Sequence, residues 1–308
     1  MKLQEFRYGV ELECVGQDRE TVARAIESVV GGEVVYVGGT YDAWNVRDNR
    51  NRVWGVVTDS SLRSVPAHLR AELVSPILEY GDIEEFQSII RAVRGVGAHV
   101  DNGCGLHLHV GTEKFDGKAL VNLAKTFYKY EPLILAALGV SEQRLSQYTK
   151  PLSGDIIKRL EKLKNRSKDA VNKAWYGYQN NNPSRYCNSR YQTLNMNSVW
   201  YRGTVEFRMA NSSLHAGKVK AVIQFCLALC AHAINSRCTS SRKREFDPAS
   251  AKYDLRVLLL RLGMNGKEFQ TARRHLLAAM PGDAAWKHGR PQAKKAENKE
   301  PEVCNEQQ

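Results

Sequence analysis

No two of the seven cysteines in this 308-residue chain stand in a C-x-x-C pair. A zinc ribbon and a dithiol redox site are therefore excluded, and scattered, reduced thiols are expected. Long apolar runs are also missing. The longest, Phe225 to Ala231, is far too short to cross a bilayer. The opening MKLQEFRYGV has no apolar signal-peptide core, so a cytoplasmic protein without a membrane partner is expected. No G-x-x-x-x-G-K-S/T segment occurs, which removes a P-loop as phosphate holder. Internal repeats and low-complexity blocks are absent.

What is present reads as ordinary globular material: 43% of residues are hydrophobic and 25% charged. Lys and Arg exceed Asp and Glu by 12, and residues 150–190 hold ten of these cations against three acids. Residues 282–308 carry equal numbers of acids and bases with no apolar periodicity, and are expected to be a disordered tail. Helices are expected from Asp82 and Glu85, a capping-box pair, to a stop at Gly95 and over residues 118–138. Another is expected from Ile156 through Leu160, Leu163, Val171 and Ala174, and an apolar one over 217–236. Two short helices, near 250–262 and 266–279, complete the set.

The strands are more informative. Phe6, Tyr8, Val10, Leu12 and Cys14 alternate with Arg7, Gly9, Glu11 and Glu13, which puts both glutamates on one face. Leu106 to Val110 does the same with His107 and His109, and Thr204 to Met209 with Glu206 and Arg208. Asn195 and Asn197 alternate with Leu194 and Met196, and Glu72 stands in the apolar stretch Ala71 to Leu78. A solvated face would show a mixture of Thr, Lys, Ser and Gln. These faces hold metal-ligand types instead, and carboxylates gathered on one sheet repel unless a cation joins them. Oxygen-rich sets with one or two imidazoles suit Mg²⁺ or Mn²⁺ better than zinc. An arginine beside such a cation is placed for a phosphate or carboxylate, a combination that describes phosphoryl transfer.

In this order along the chain, GVELE (9–13), WGVVTDSSL (54–62), AELVSPIL (71–78), CGLHLHV (104–110), RYQTLNMNS (190–198) and GTVEFRMANSSL (203–214) resemble the amidoligase family. This phage- and bacteria-associated group of carboxylate–amine ligases is related to glutamine synthetase and glutamate–cysteine ligase. The resemblance covers roughly residues 5 to 237. It implies an α+β fold with a curved antiparallel sheet of the glutamine-synthetase catalytic type and helices on one face. Residues 1–240 would form the catalytic domain, with a helical extension over 241–281 and the tail beyond. It also implies bound Mg²⁺ (or Mn²⁺), ATP as co-substrate, and formation of an amide or isopeptide through an acyl phosphate. By motif, Glu11, Glu13, Glu72, His107 and Glu206 are similar to metal ligands, with His109 nearer the phosphates or substrate. Arg208 would stabilise the transferring phosphoryl group, and Asn195 and Arg190 would contact the acyl-phosphate end. Asp59 and Ser60 are similar to residues near nucleotide or substrate. The Asn-, Tyr- and Arg-rich segment 175–190 suits a flap over the site, with Arg185 facing phosphate. The carboxylate and amine are not named by the resemblance; family members modify peptides, proteins or cell-wall components.

Two other classes remain. His107, His109 and Glu113 match the first metal motif of cupin oxygenases, but the second, a P-x-G followed by histidine, is missing. Cations and aromatic rings interleave over 150–190, as in a nucleic-acid binder, although most such runs are solvated helix faces. Cys104, Cys226 and Cys230 are expected to pack as core thiols, and Trp44 and Trp54 to pack rather than bind.

Overall fold

The computed structural model describes residues 1–289; the part of the expected tail that follows lies outside the described residues. In chain order the elements are β1 (Tyr8–Val15), α1 (Arg19–Val30), β2 (Glu33–Gly38), β3 (Ala43–Arg47), β4 (Val53–Val57), β5 (Arg70–Val74) and α2 (Ile83–Gly95). There follow β6 (Gly105–Gly111), α3 (Gly117–Ala137), α4 (Glu142–Gln147), α5 (Gly154–Glu161) and α6 (Lys168–Tyr176). Last come β7 (Leu194–Asn195), α7 (Asn197–Tyr201), β8 (Thr204–Asn211), α8 (Ala216–Asn235), α9 (Ala251–Arg261) and α10 (Gln270–Ala278). All eight strands join one open sheet, in the order β2-β3-β4-β5-β1-β6-β8-β7, with every pairing antiparallel.

One face of the sheet is apolar because its strands alternate. Tyr8, Val10, Leu12 and Cys14 from β1, Leu106 and Leu108 from β6, and Phe207 from β8 are buried there. They join one core with α1, α2, α3 and α8, where each fully buried large side chain contributes about 1.5–3 kcal/mol. The central helix, α8, is long and apolar enough to cross a membrane, but 78% of its most apolar window is buried within the fold. Leu255, Leu259, Met264 and Leu276, from α9, α10 and the turn between them, belong to the same core.

Most expected helices form as read, with three corrections. The helix expected from Ile156 onward is two. The first, α5, ends at Glu161, and α6 starts after Ser167, whose hydroxyl caps the Ala170 N–H at 3.2 Å. Leu163 lies in the polar stretch between them, KLKNRS, which keeps apolar spacing without helical backbone. Asp82 precedes α2 but makes no capping box with Glu85. Its carboxylate accepts from the Glu79 N–H at 2.8 Å and from Arg50 and Arg52, and Glu85 pairs with the same two arginines. A pair of guanidiniums outweighs one backbone donor. Asn197 leaves the strand face and opens α7, because β7 is only two residues long.

The segment from α1 through β4, not read as structure in the sequence, extends the sheet on the β5 side. Asp18 caps α1 by accepting from the Thr21 N–H at 2.8 Å. Gly32, at φ +93°, permits the tight entry to β2: a Cβ there would lie 1.9 Å from the Arg47 carbonyl oxygen.

Candidate active site

The polar face gathers its charged residues on neighbouring strands through register. Glu13 stands opposite Glu72 across β1 and β5, and Glu11 opposite His107 across β1 and β6. His109 faces Glu206 across β6 and β8, and Asn195 faces Glu206 across β7 and β8. A register shift between Leu106 and Leu108 inserts an extra residue in β8 beside Arg208, whose N–H donates to the Thr193 carbonyl at 2.9 Å. Such bulges re-aim side chains near functional sites.

Three overlapping ligand groups result, each with its atoms within 4.8 Å of one another: Glu13–Asp59–Glu72, Glu11–Glu72–His107 and Glu11–His109–Glu206. Glu11 and Glu72 are each shared by two groups, so the donors form a continuous row. Burial and the Asp59 charge push the Glu13 carboxyl up to about 7, against the opposing charge of Arg144. Burial with the charges of Glu11, Glu13 and Asp59 raises Glu72 well above the usual range. At the other end burial opposes ionisation, but His109, Arg208 and His107 outweigh it and hold Glu206 at about 2. Burial is likewise overcome at Glu11, where His109 and His107 keep the carboxyl well below its ordinary value. The row is thus short of positive charge at the Glu13–Glu72 end.

The two histidines differ. His109 shares a hydrogen bond with Thr204 through Nδ1 at 3.1 Å, while its buried Nε2 has no hydrogen-bond partner and lies 3.3 Å from Glu11 and 3.7 Å from Glu206. His107 is engaged at Nε2 by the Arg144 guanidinium at 3.0 Å. Arginine has only protons to give, so this nitrogen accepts and the neutral ring carries its proton on Nδ1. That nitrogen faces Glu11 at 3.5 Å and Glu206 at 3.8 Å. Burial and the Arg208 charge lower His107 to about 4, which keeps the ring neutral. Burial opposes protonation of His109, but Glu206 and Glu11 raise it above its ordinary value. Its Nε2 therefore offers a lone pair once a metal displaces the proton it holds toward those carboxylates, whereas His107 ligates only if Arg144 lets it turn.

Other expected residues divide. Arg208 is ion-paired with Glu206, and Asn195 donates to Glu206 at 2.5 Å. Asp59 sits in the ligand row, whereas Ser60, next to it, is exposed. Arg185 reaches the Tyr41 hydroxyl at 3.3 Å, in the β2–β3 connection, and Arg190 donates to the Arg185 carbonyl at 3.0 Å. Neither arginine makes a hydrogen bond or ion pair with the carboxylate row; Arg185 joins the 175–190 segment to the sheet's far end, and Arg190 braces the segment internally. Asn197 ties that segment down by donating to the Ser184 carbonyl at 3.1 Å. Glu113, the third member of the cupin-like motif, pairs with Arg7 at 2.6 Å at the surface and takes no part in the row. Cys104, Cys226, Cys230 and Trp54 are buried, as expected of packing residues.

Three contributors carry no sequence signal. Arg144, from the short helix α4, is 2% exposed and also donates to the Arg208 carbonyl at 3.0 Å. Gly105 makes room for it: a Cβ there would lie 2.2 Å from the guanidinium, and the Gly105 N–H donates to Glu13 at 2.5 Å. Arg202 meets Glu11 at 3.0 Å. Beside Glu11 and His109 opens a cavity of about 240 Å³, which Arg202, Thr204 and Gly9 help to line.

The arrangement can hold divalent cations and steady an anion beside them. Among curated proteins no match was found. The family model described as "putative amidoligase enzyme" matches residues 4–230, and an amidoligase acts on a carboxylate and an amine. The chain belongs to this amidoligase family.

Proposed function

We propose that this amidoligase is an ATP- and Mg²⁺-dependent ligase that joins a carboxylate to an amine through an acyl phosphate, on a glutamine-synthetase-type sheet. The observation that carries the reading is the continuous donor row flanked by two buried arginines, Arg208 and Arg144. Five carboxylates gathered on one buried face, two of them driven toward the neutral form, fit a site built for cations. The orphaned His109 Nε2 fits the same purpose. Glu11, His109 and Glu206 would hold one Mg²⁺, and Glu13, Asp59 and Glu72 another. This adds Asp59 to the ligands expected from sequence and moves the weight from His107 to His109. Bound Mg²⁺ would neutralise phosphate and carboxylate charge so that the two can approach.

The chain's own groups do the rest. In the first step the bond from the γ-phosphorus to the ADP oxygen breaks, and one from that phosphorus to a substrate carboxylate oxygen forms. In the second the amine attacks the acyl carbon, phosphate leaves with the bonding pair, and the amine gives up a proton. Arg208, held by Glu206 and by the Thr193 carbonyl, is fixed before charge develops, so it orients little during the reaction. Arg144 is the better placed of the two for the Glu13–Glu72 end, because no carboxylate lies within ion-pair distance of it among the described residues, whereas Arg208 is paired with Glu206. The cavity beside Glu11 and His109 gives the nucleotide room, with Arg202 near its phosphates. The 175–190 segment, clasped to Tyr41 through Arg185, would shield the acyl phosphate from water.

Hydroxylamine tests this reading because it traps acyl phosphates as hydroxamates whatever the natural amine is. Incubation with ATP, Mg²⁺, hydroxylamine and a panel of amino acids, dipeptides and peptides should yield a hydroxamate and equimolar ADP for at least one carboxylate. ADP release that no carboxylate stimulates, with no hydroxamate formed, would refute it.

A further inference from the structure

A second cavity, of about 470 Å³, opens between α3 and α5, and none of its lining residues belongs to the carboxylate row. Lys125 and Tyr128 come from α3, Lys158 and Glu161 from α5, and Arg242 and Lys243 from the segment that follows α8. Gly154 lets the two helices close up, since a Cβ there would meet the Tyr128 hydroxyl at 3.1 Å.

The basic segment is laid along this groove by specific bonds. The Thr239 hydroxyl donates to the Asn122 carbonyl at 3.3 Å, and the Arg244 N–H donates to the Lys129 carbonyl at 2.9 Å. The Ser241 hydroxyl donates to Glu161, the one acid in the lining, and so occupies it. Lys125 and Arg242 have no ion-pair partner among the described residues. Lys158 has only the exposed Asp155 at 3.3 Å, and Lys243 stands 3.7 Å from the buried Glu131. Four cations therefore face one groove with a single, already engaged carboxylate. Walls of low dielectric concentrate such a field and draw in anions.

The shape of the patch selects among anions. It is too broad for one phosphate, and exposed Lys162, Lys164 and Lys168 continue the charge along the α5–α6 surface. The Tyr128 ring is capped by the Lys243 ammonium, 4.8 Å from its centre, so no base can stack on that side. An acidic peptide would also bring apolar side chains, and this groove has only Ile157 and the capped ring to receive them. From this geometry we infer that the α3–α5 groove binds the phosphate backbone of a nucleic acid strand without reading its sequence. The surface is separate from the catalytic row and would keep the ligase on nucleic acid while its site remains free. This differs from the nucleic-acid reading of 150–190 as the protein's main role, because the groove uses α3 and the segment after α8 and leaves the tyrosines of 176–191 aside.

The test is anisotropy of labelled 20-nucleotide single strands of mixed and uniform sequence, titrated with the full chain over 50 to 200 mM salt. With four phosphates neutralised, log K should fall with log salt at a slope of about −2.8, a loss of about 50-fold over that range. The double variant Lys158→Ala/Arg242→Ala should lower the slope by about 1.4 in magnitude. Arg91→Ala/Arg94→Ala removes the same charge from α2 and should leave binding unchanged. Similar losses in both variants would mean diffuse attraction and overturn the proposal, as would no binding at 50 mM salt. Polyglutamate that binds as tightly as the oligonucleotide would overturn it in favour of an acidic polypeptide. Thermal melts of both variants separate unfolding from lost contacts.

Discussion

Adding Mg²⁺ to the metal-free protein should release protons, from the Glu13–Glu72 end of the row and from His109. Burial and the Asp59 charge hold Glu13 at about 7 against an ordinary 4.5, and Glu72 lies well above its own ordinary value. At pH 7 Glu13 is about half protonated, so loading the Glu13–Asp59–Glu72 group should expel about 0.5 proton from Glu13, and Glu72, raised as well, should add to that. At pH 5.5 the release from Glu13 alone should approach about one, since that carboxyl then starts protonated, and metal binding should weaken accordingly. The sign for stability follows. A carboxyl raised in the folded state contributes stability below pH 4.5 that is lost as pH rises through about 7. Glu13 therefore makes the metal-free protein less stable as pH rises from about 5 to 7, Glu72 acts in the same direction, and Mg²⁺ removes that loss. The gap in Tm between Mg²⁺ and EDTA should widen over the same interval. Calorimetry of Mg²⁺ binding in PIPES and in Tris, whose ionisation enthalpies differ, counts the protons directly. Equal heats in the two buffers at pH 7 would mean no release and would refute the reasoning about this end of the row.

Other outcomes follow from single contacts. Arg144→Met removes the donor to His107 Nε2 and to the Arg208 carbonyl; hydroxamate formation should fall by about 10²-fold or more while Tm moves little. Gly105→Ala drives a methyl into that guanidinium and should cost about 1–3 kcal/mol, read by urea unfolding, with turnover lost in parallel. Tyr41→Phe frees Arg185 from the β2–β3 connection, so phosphate release without hydroxamate should rise relative to ligation. Phe127→Ala, in the core beneath β8, should destabilise by about 3–5 kcal/mol without changing proton release per folded molecule.

The site was legible in sequence where a strand carried it. Alternation in β1, β6 and β8 puts Glu11 and Glu13, His107 and His109, and Glu206 and Arg208 on one face before any pairing is known. Pairing adds what periodicity cannot. Asp59 enters the row through the turn after β4, and Arg144 reaches His107 from a six-residue helix 37 positions later in the chain. A short helix with one buried arginine looks in sequence like any polar turn, because its partner lies across the sheet. Asn197 shows the opposite failure. Its alternation with Met196 imitates a strand, but with β7 ending at Asn195 the backbone turns helical and the side chain serves the 175–190 segment. In the same way apolar spacing carried the expected helix across residues 162–167, where Ser167 starts a new one. Hydrophobic period records which side is buried, not whether the hydrogen-bonded backbone is continuous.

The central claim is that the donor row exists to bring ATP and a carboxylate together on Mg²⁺. Titration of ATP into the protein by calorimetry, with Mg²⁺, then with EDTA, and again on Glu13→Gln, tests it most directly. Binding should be saturable with Mg²⁺, abolished by EDTA and weakened by Glu13→Gln, since Glu13 belongs to the row and its partner Gly105 N–H would lose a charged acceptor. ATP binding that is equally strong in EDTA, or no binding in any condition, would contradict it.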